Sequence, residues 1–139
     1  MLTGSYLAAL SDARRVAVPK KFITDLGNNP VIAKWYEDCL VIVRPEFLNN
    51  LISRLTGDRK VADLGVRDVE RFIIGSAFEV EADEQGRIII PEILSKYANF
   101  TKDLVFVGLI DRVEIWSKEI WDQKSISLAK TTKEYIEKL

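Results

Sequence analysis

Apolar and polar positions follow two rhythms along this chain, and the rhythms recur. After Pro19, Phe22, Ile23 and Leu26 fall on one helical face; after Pro91, Ile93, Leu94, Tyr97 and Ala98 do the same. Both prolines suit a first helical position, where the missing N–H is no loss. Strand patterns follow each helix. Val31–Tyr36 leads through a turn at Glu37-Asp38 into Cys39–Val43, and Leu104–Leu109 leads through a turn near Asp111 into Val113–Trp116. Each pair is a β-branched or aromatic run around a polar turn, which predicts a hairpin. A helix is predicted after each hairpin: Pro45, Phe47, Leu48, Leu51, Ile52 and Leu55 mark the first, and Ile120 and Trp121 open the second. The polar stretch from Ser117 reads as helix that frays near Leu139.

The recurrence has a fixed spacing. Arg15-Val16-Ala17-Val18-Pro19 returns 72 residues later as Arg87-Ile88-Ile89-Ile90-Pro91. The repeating unit is strand, turn, strand, short helix, hairpin, helix. The predicted division is a single domain over 1–139 made of two similar halves, 1–55 and 75–122. A connecting segment over 56–74 and a polar helical tail over 123–139 complete it. Within the connection, 56–66 reads as a link and Arg67–Ile74 as a short helix. A strand-rich unit this small cannot cover its apolar face alone. Two of them packed together predict an α+β, β-rich fold with a barrel-like core and helices outside.

Composition narrows the chemistry. At 139 residues, 47% hydrophobic and 29% charged, the chain is ordinary for one globular domain. It contains no apolar run long enough for a membrane span. Met1–Ser5 has no basic region followed by an apolar run, so no secretion signal is expected. One cysteine, Cys39, excludes an internal disulfide framework, and the absence of histidine removes Ser-His-Asp and Cys-His catalysis and most zinc sites. No enzyme activity, cofactor, metal or small-molecule substrate is expected, and the expected compartment is the cytoplasm. The net charge of −1 lacks the basic excess of a typical nucleic-acid binder. The charges are uneven, however. Residues 14–21 carry Arg14, Arg15, Lys20 and Lys21 with no acid, while 79–84 carry Glu79, Glu81, Asp83 and Glu84.

The turns that launch the two arginine strands are the candidate site. Asp83-Glu84-Gln85-Gly86 lies between Ala77–Val80 and Ile88–Ile90. Aspartate bonds backbone N–H groups two residues on, and glycine accepts positive φ, so a tight turn is predicted with Arg87 at its exit. The first copy, Ser11-Asp12-Ala13-Arg14, leads to Arg15. One reading is a structural ion pair, Asp83 with Arg87, of small energetic value. The other is an arginine held on a rigid turn to fork onto guanine O6 and N7. Residue chemistry alone leaves both open. Lys20 and Lys21, at a helix start where positive charge opposes the helix dipole, are candidate phosphate contacts beside Arg14 and Arg15. Trp35, Tyr36 and Trp116 are expected in the core, Trp121 in the core or at a subunit interface, and Cys39 as a buried inert thiol. Glu79 and Glu81 are expected to face solvent or a neighbouring subunit.

At this point the sequence resembles the MraZ family of bacterial transcriptional regulators. The resemblance runs over about residues 1–122. It rests on Gly4-Ser5-Tyr6, Arg15–Pro19, Cys39–Val43, Arg71-Phe72, the block Gly75–Pro91, and Val113–Trp116. It implies a duplicated swapped-hairpin, AbrB-like (double-psi-like) barrel with flanking helices. It further implies homo-oligomeric rings and sequence-specific binding to double-stranded DNA at short direct repeats. The repeats would lie upstream of the protein's own operon in the division and cell-wall gene cluster, with the protein nucleoid-associated and away from membranes. The family pattern is Asp, three residues, then Arg in each half. Asp83 and Arg87 match it; in the first half Arg15 matches, but Ser11 replaces the aspartate and Arg14 the glycine. The alternative implied is an AbrB-like antitoxin or protein-interaction module, against which the two copies and the short tail argue.

Overall fold

The computed structural model describes residues 1–57 and 63–139. In chain order its elements are β1 (Thr3–Ala9), β2 (Arg15–Ala17), α1 (Lys20–Leu26), β3 (Val31–Lys34), β4 (Leu40–Val43) and α2 (Pro45–Thr56). Then come α3 (Leu64–Ile73), β5 (Phe78–Glu79), β6 (Arg87–Ile89), α4 (Glu92–Tyr97), β7 (Asp103–Leu109), β8 (Val113–Ser117) and α5 (Lys118–Glu137). The fold is α+β and rich in β, as expected.

Six strands form one antiparallel sheet in the order β1-β7-β8-β4-β3-β5. The sequence repeat makes that order read the same from either end: β1 corresponds to β5, β7 to β3, and β8 to β4. Each edge strand thereby pairs with a strand of the other repeat. The remaining two strands, β2 and β6, form a separate antiparallel ribbon, with Val16 opposite Ile88, Arg15 opposite Ile89 and Ala17 opposite Arg87. Its centre is the Val16–Ile88 pair, so the ribbon too exchanges its strands about its middle.

Both faces of the sheet are buried, which explains why its inner strands read as unbroken apolar runs. Alternation sends successive residues to opposite sides. Leu40, Ile42, Leu104, Phe106, Val113 and Ile115 face one layer, completed by Val16 and Ile88 of the ribbon and by Phe22 and Leu94 of α1 and α4. Val41, Val43, Val105, Val107 and Trp116 face the other, covered by Phe47, Leu48 and Ile73 of α2 and α3. Gly108 has no room for a side chain: a Cβ there would stand 2.6 Å from the Thr3 backbone N.

Several expectations shift. Pro19 and Pro91 stand one residue before α1 and α4, because their ψ of 132° and 139° is extended, not helical. Of the apolar run Ala77–Val80 only Phe78–Glu79 is strand; Val80 donates its N–H to Pro30 O at 3.0 Å, and Glu81 lies beyond the strand. Helix α3 begins at Leu64, three residues before the prediction, because Asp63 Oδ1 accepts from Gly65 N at 2.9 Å and Val66 N at 3.4 Å. An aspartate at this position is a helix start signal. The connection predicted at 56–66 lies partly outside the described residues. Tyr36 is 48% exposed, not core: it sits in the 3₁₀ turn of the first hairpin and lies against Trp35 from outside, ring centroids 4.7 Å apart. Trp121 packs on Trp116 at 5.5 Å. Cys39 is fully buried, and burial pushes its thiol well above the ordinary range.

Candidate nucleic-acid interface

Two turns, built alike, feed the ribbon. In the second, Asp83 N donates to Arg87 O at 2.9 Å and Gly86 N to Asp83 O at 2.9 Å. In the first, Ser11 N donates to Arg15 O at 2.9 Å and Arg14 N to Ser11 O at 2.9 Å. The side chain opening each turn accepts from the arginine's own backbone: Asp83 Oδ1 from Arg87 N at 2.9 Å, Ser11 Oγ from Arg15 N at 3.0 Å. The turns then grip each other's strands. Val18 N donates to Gly86 O at 3.0 Å, and Ile90 N to Arg14 O at 2.8 Å. A serine oxygen thus closes this turn as well as a carboxylate oxygen does.

The ribbon sorts the residues by face. Val16 and Ile88 point inward and are each 1% exposed. Their neighbours along each strand point outward, so Arg15, Ala17, Arg87 and Ile89 share the outer face, and Ile89 is 49% exposed. Strand geometry puts the two arginines diagonally across the ribbon, roughly 8 Å apart at Cα. Ala17 and Ile89, which sequence reasoning did not single out, are therefore part of this surface. The signal was available: period two places 15 with 17 and 87 with 89.

The arginines differ in what holds them. Asp83 uses its second oxygen on Arg87: Oδ2 accepts from Nε at 3.0 Å, while Oδ1 also takes Gln85 N at 2.9 Å. The Arg87 and Gln85 backbone N–H groups and the Arg87 side chain hold the Asp83 carboxyl below the usual carboxylate range. Ser11 has no second oxygen to offer, and the Arg15 guanidinium makes no hydrogen bond or ion pair among the described residues. Arg14 is half-buried in the left-handed region at φ 59°, where Gly86 has φ 77°. Its Nε donates to Ile90 O at 3.1 Å, so Arg14 clasps the opposite strand.

The lysines diverge. Lys21 Nζ donates to Thr3 Oγ1 at 3.3 Å and lies 5.6 Å from the Tyr6 ring centre, directed at β1. Lys20 lines a cavity of about 720 Å³ under the second turn, with Ile23, Asp83, Glu84 and Gly86. At the positions 72 residues away, the first turn carries bulkier groups: Arg14 for Gly86, and Leu10 for Ala82. The structure therefore brings Arg15 and Arg87 onto one face, sets Arg14 and Asp83 behind them, keeps Lys20 near the second turn, and turns Lys21 away. Among the described residues no cluster of His, Cys, Asp and Glu is arranged to hold a metal ion, and no helix is long and apolar enough to cross a membrane.

Chemically, an exposed antiparallel ribbon with outward arginines fits the width of a DNA major groove. Residues 73–136, which include the second turn but not the first, match the family described as "MraZ protein, putative antitoxin-like". A protein of Caldanaerobacter subterraneus subsp. tengcongensis named Transcriptional regulator MraZ is 37% identical over 142 aligned positions, spanning 100% of this chain and 96% of that one. The chain belongs to the MraZ family. Proteins of the same name from Thermoanaerobacter sp. X514 and Clostridium tetani are 38% and 36% identical over 128 and 126 positions, each spanning 86% or more of both chains. In this member of the MraZ family a carboxylate holds the arginine at one turn, while the arginine at the other has no side-chain partner among the described residues.

Proposed function

We propose that this chain is a sequence-specific, double-stranded-DNA-binding transcriptional regulator. In this reading the outer face of the β2–β6 ribbon enters the major groove at short direct repeats upstream of the chain's own gene. Arg15 and Arg87 make the DNA contacts, Asp83 orients Arg87, Arg14 and Lys20 add positive charge along the flanks, and Lys21 joins them only by leaving Thr3 and Tyr6. The observation that carries it is the placement of both turn-exit arginines on one exposed ribbon face. A homo-oligomeric ring would present this face many times, so individually weak sites gain avidity of ~10²–10⁴ where repeat spacing fits. Local charge, not the net −1, then drives the encounter. The site of action is the nucleoid, and no cofactor is needed.

The test is a fluorescence-anisotropy titration of the whole protein. It compares the duplex upstream of its own gene with a shuffled duplex at two salt concentrations. Tight, salt-dependent binding to the native duplex alone is expected, and Arg87→Ala should abolish it while leaving the oligomer intact. Unchanged affinity in that variant would remove the arginine-turn assignment. The competing reading, an antitoxin-like protein-interaction module, draws on one observation: α5 leaves Ile126, Tyr135 and Ile136 exposed. Equal weak binding to both duplexes would bring it forward.

A further inference from the structure

The two turns share a backbone but not a charge balance, a side-chain lock or a neighbour. From Ser11 to Arg15 the chain carries one acid, Asp12, against Arg14 and Arg15, a net +1. From Asp83 to Arg87 it carries Asp83 and Glu84 against Arg87 alone, a net −1. Lys20 adds one cation to the cavity beneath the second turn, and Glu81 in the same lining cancels it. Formal charge therefore favours phosphate at the first turn over the second.

Side-chain freedom divides them the same way. Arg87 is fixed through Nε by Asp83 Oδ2, and no bond from its two Nη groups is made among the described residues, so the end of the fork stays available. Such a fork has already lost much of its rotamer freedom and keeps its planar bidentate donors for an acceptor pair such as guanine O6 and N7. Arg15, with no partner among the described residues, keeps that freedom and suits an acceptor that accepts approach from many directions. The residues across the ribbon agree. Arg87 stands opposite Ala17, whose methyl leaves room for a base edge to come close. Arg15 stands opposite Ile89, a bulkier group left 49% exposed.

We propose that the two arginines of one chain have unequal tasks on DNA: Arg87 reads a base edge and Arg15 grips backbone phosphate. This rests on the DNA-binding reading and adds to it a division of labour. Guanidinium geometry matters for a base edge, whereas a phosphate needs chiefly a positive charge. Exchanging arginine for lysine therefore separates the two tasks.

The experiment measures Arg15→Lys, Arg15→Ala and Arg87→Lys against the native upstream duplex and its shuffled counterpart across a salt series. The readouts are the native-to-shuffled affinity ratio and the slope of log affinity on log salt. Arg87→Lys is expected to cut the ratio by about tenfold, the scale of one lost bidentate base contact, with the slope unchanged. Arg15→Lys is expected to leave the ratio within about twofold, while Arg15→Ala weakens both duplexes alike and flattens the slope by ~0.9 for each subunit engaged on the DNA, the value for one phosphate apiece. Both side chains are exposed, so thermal midpoints should match wild type and exclude misfolding as the cause. If wild type discriminates and the two lysine variants lose the ratio equally, or Arg87→Lys keeps it, the division of labour is wrong and the DNA reading stands. If wild type does not discriminate, both fall together.

Discussion

Arg14 carries a cost and a benefit at the same atom set. A non-glycine residue at φ 59° is strained by roughly 1 kcal/mol or more, and its bond to Ile90 O returns about 0.5–1.5 kcal/mol. Arg14→Ala keeps the strain and loses the bond; Arg14→Gly loses both. The glycine variant should therefore be the more stable of the two by about 1 kcal/mol in urea unfolding. An alanine variant of equal stability would mean that the left-handed backbone costs nothing here. Asp83 gives a prediction in pH. Its folded pKa lies below the ordinary value of about 3.9, so its contribution is complete above that value and is lost as pH falls through the lower, folded one. The Arg87 Nε–H resonance should stay constant from pH 8 to about 5 and change only in acid. A change centred near pH 6 would contradict the bond to Oδ2. The turn itself was legible from Asp83 and Gly86. Less legible was that Ser11 Oγ would take the same backbone N–H, because a missing carboxylate looks in sequence like a missing lock. Only the arginine's side chain is released.

At the scale of elements, the sheet tolerates no extra atom where the start of β1 lies beside Gly108 of β7. A methyl on Gly108 would meet the Thr3 backbone N at 2.6 Å and Phe22 Cζ at 2.9 Å. Backbone has nowhere to swing, so Gly108→Ala should destabilise by about 1–3 kcal/mol, read as a lower urea midpoint. An unchanged midpoint would show that β1 can lift off β7 without loss. Helix α3 offers a smaller effect: Asp63→Ala removes the acceptor for Gly65 N and Val66 N and should cost ~1 kcal/mol. The hairpins and α2 were readable because their apolar rhythm is strong and their ends are marked by Pro45 or polar turns. The start of α3 was not, since its cap is one aspartate inside a polar run. Nor was Tyr36, whose neighbours Trp35 and Cys39 are buried while the tight turn at Glu37 and Asp38 swings it outward.

At the scale of the molecule, each repeat lacks what the other supplies. Edge strand β1 pairs with β7, edge strand β5 pairs with β3, and the ribbon takes one strand from each repeat. Residues 1–57 alone should therefore be unfolded by circular dichroism, as should 63–139, and the two mixed should regain the native spectrum. An independently folded first fragment would show that the interleaving is dispensable. The 72-residue repeat revealed that there were two copies, but the exchange of edge strands between them depends on long-range pairing that no local pattern encodes.

The half-turn about the Val16–Ile88 pair has a directional consequence. A reader with perfect twofold symmetry has no front or back; set on a duplex, it fits equally well turned end for end, and it favours sites that are themselves inverted. Sites that all run the same way call for a reader with a heading. Ser11 and Arg14, the two departures in the first turn, break the twofold without disturbing the backbone that carries it. Together with Ala17 and Ile89, which differ across the same ribbon, they would let it tell upstream from downstream.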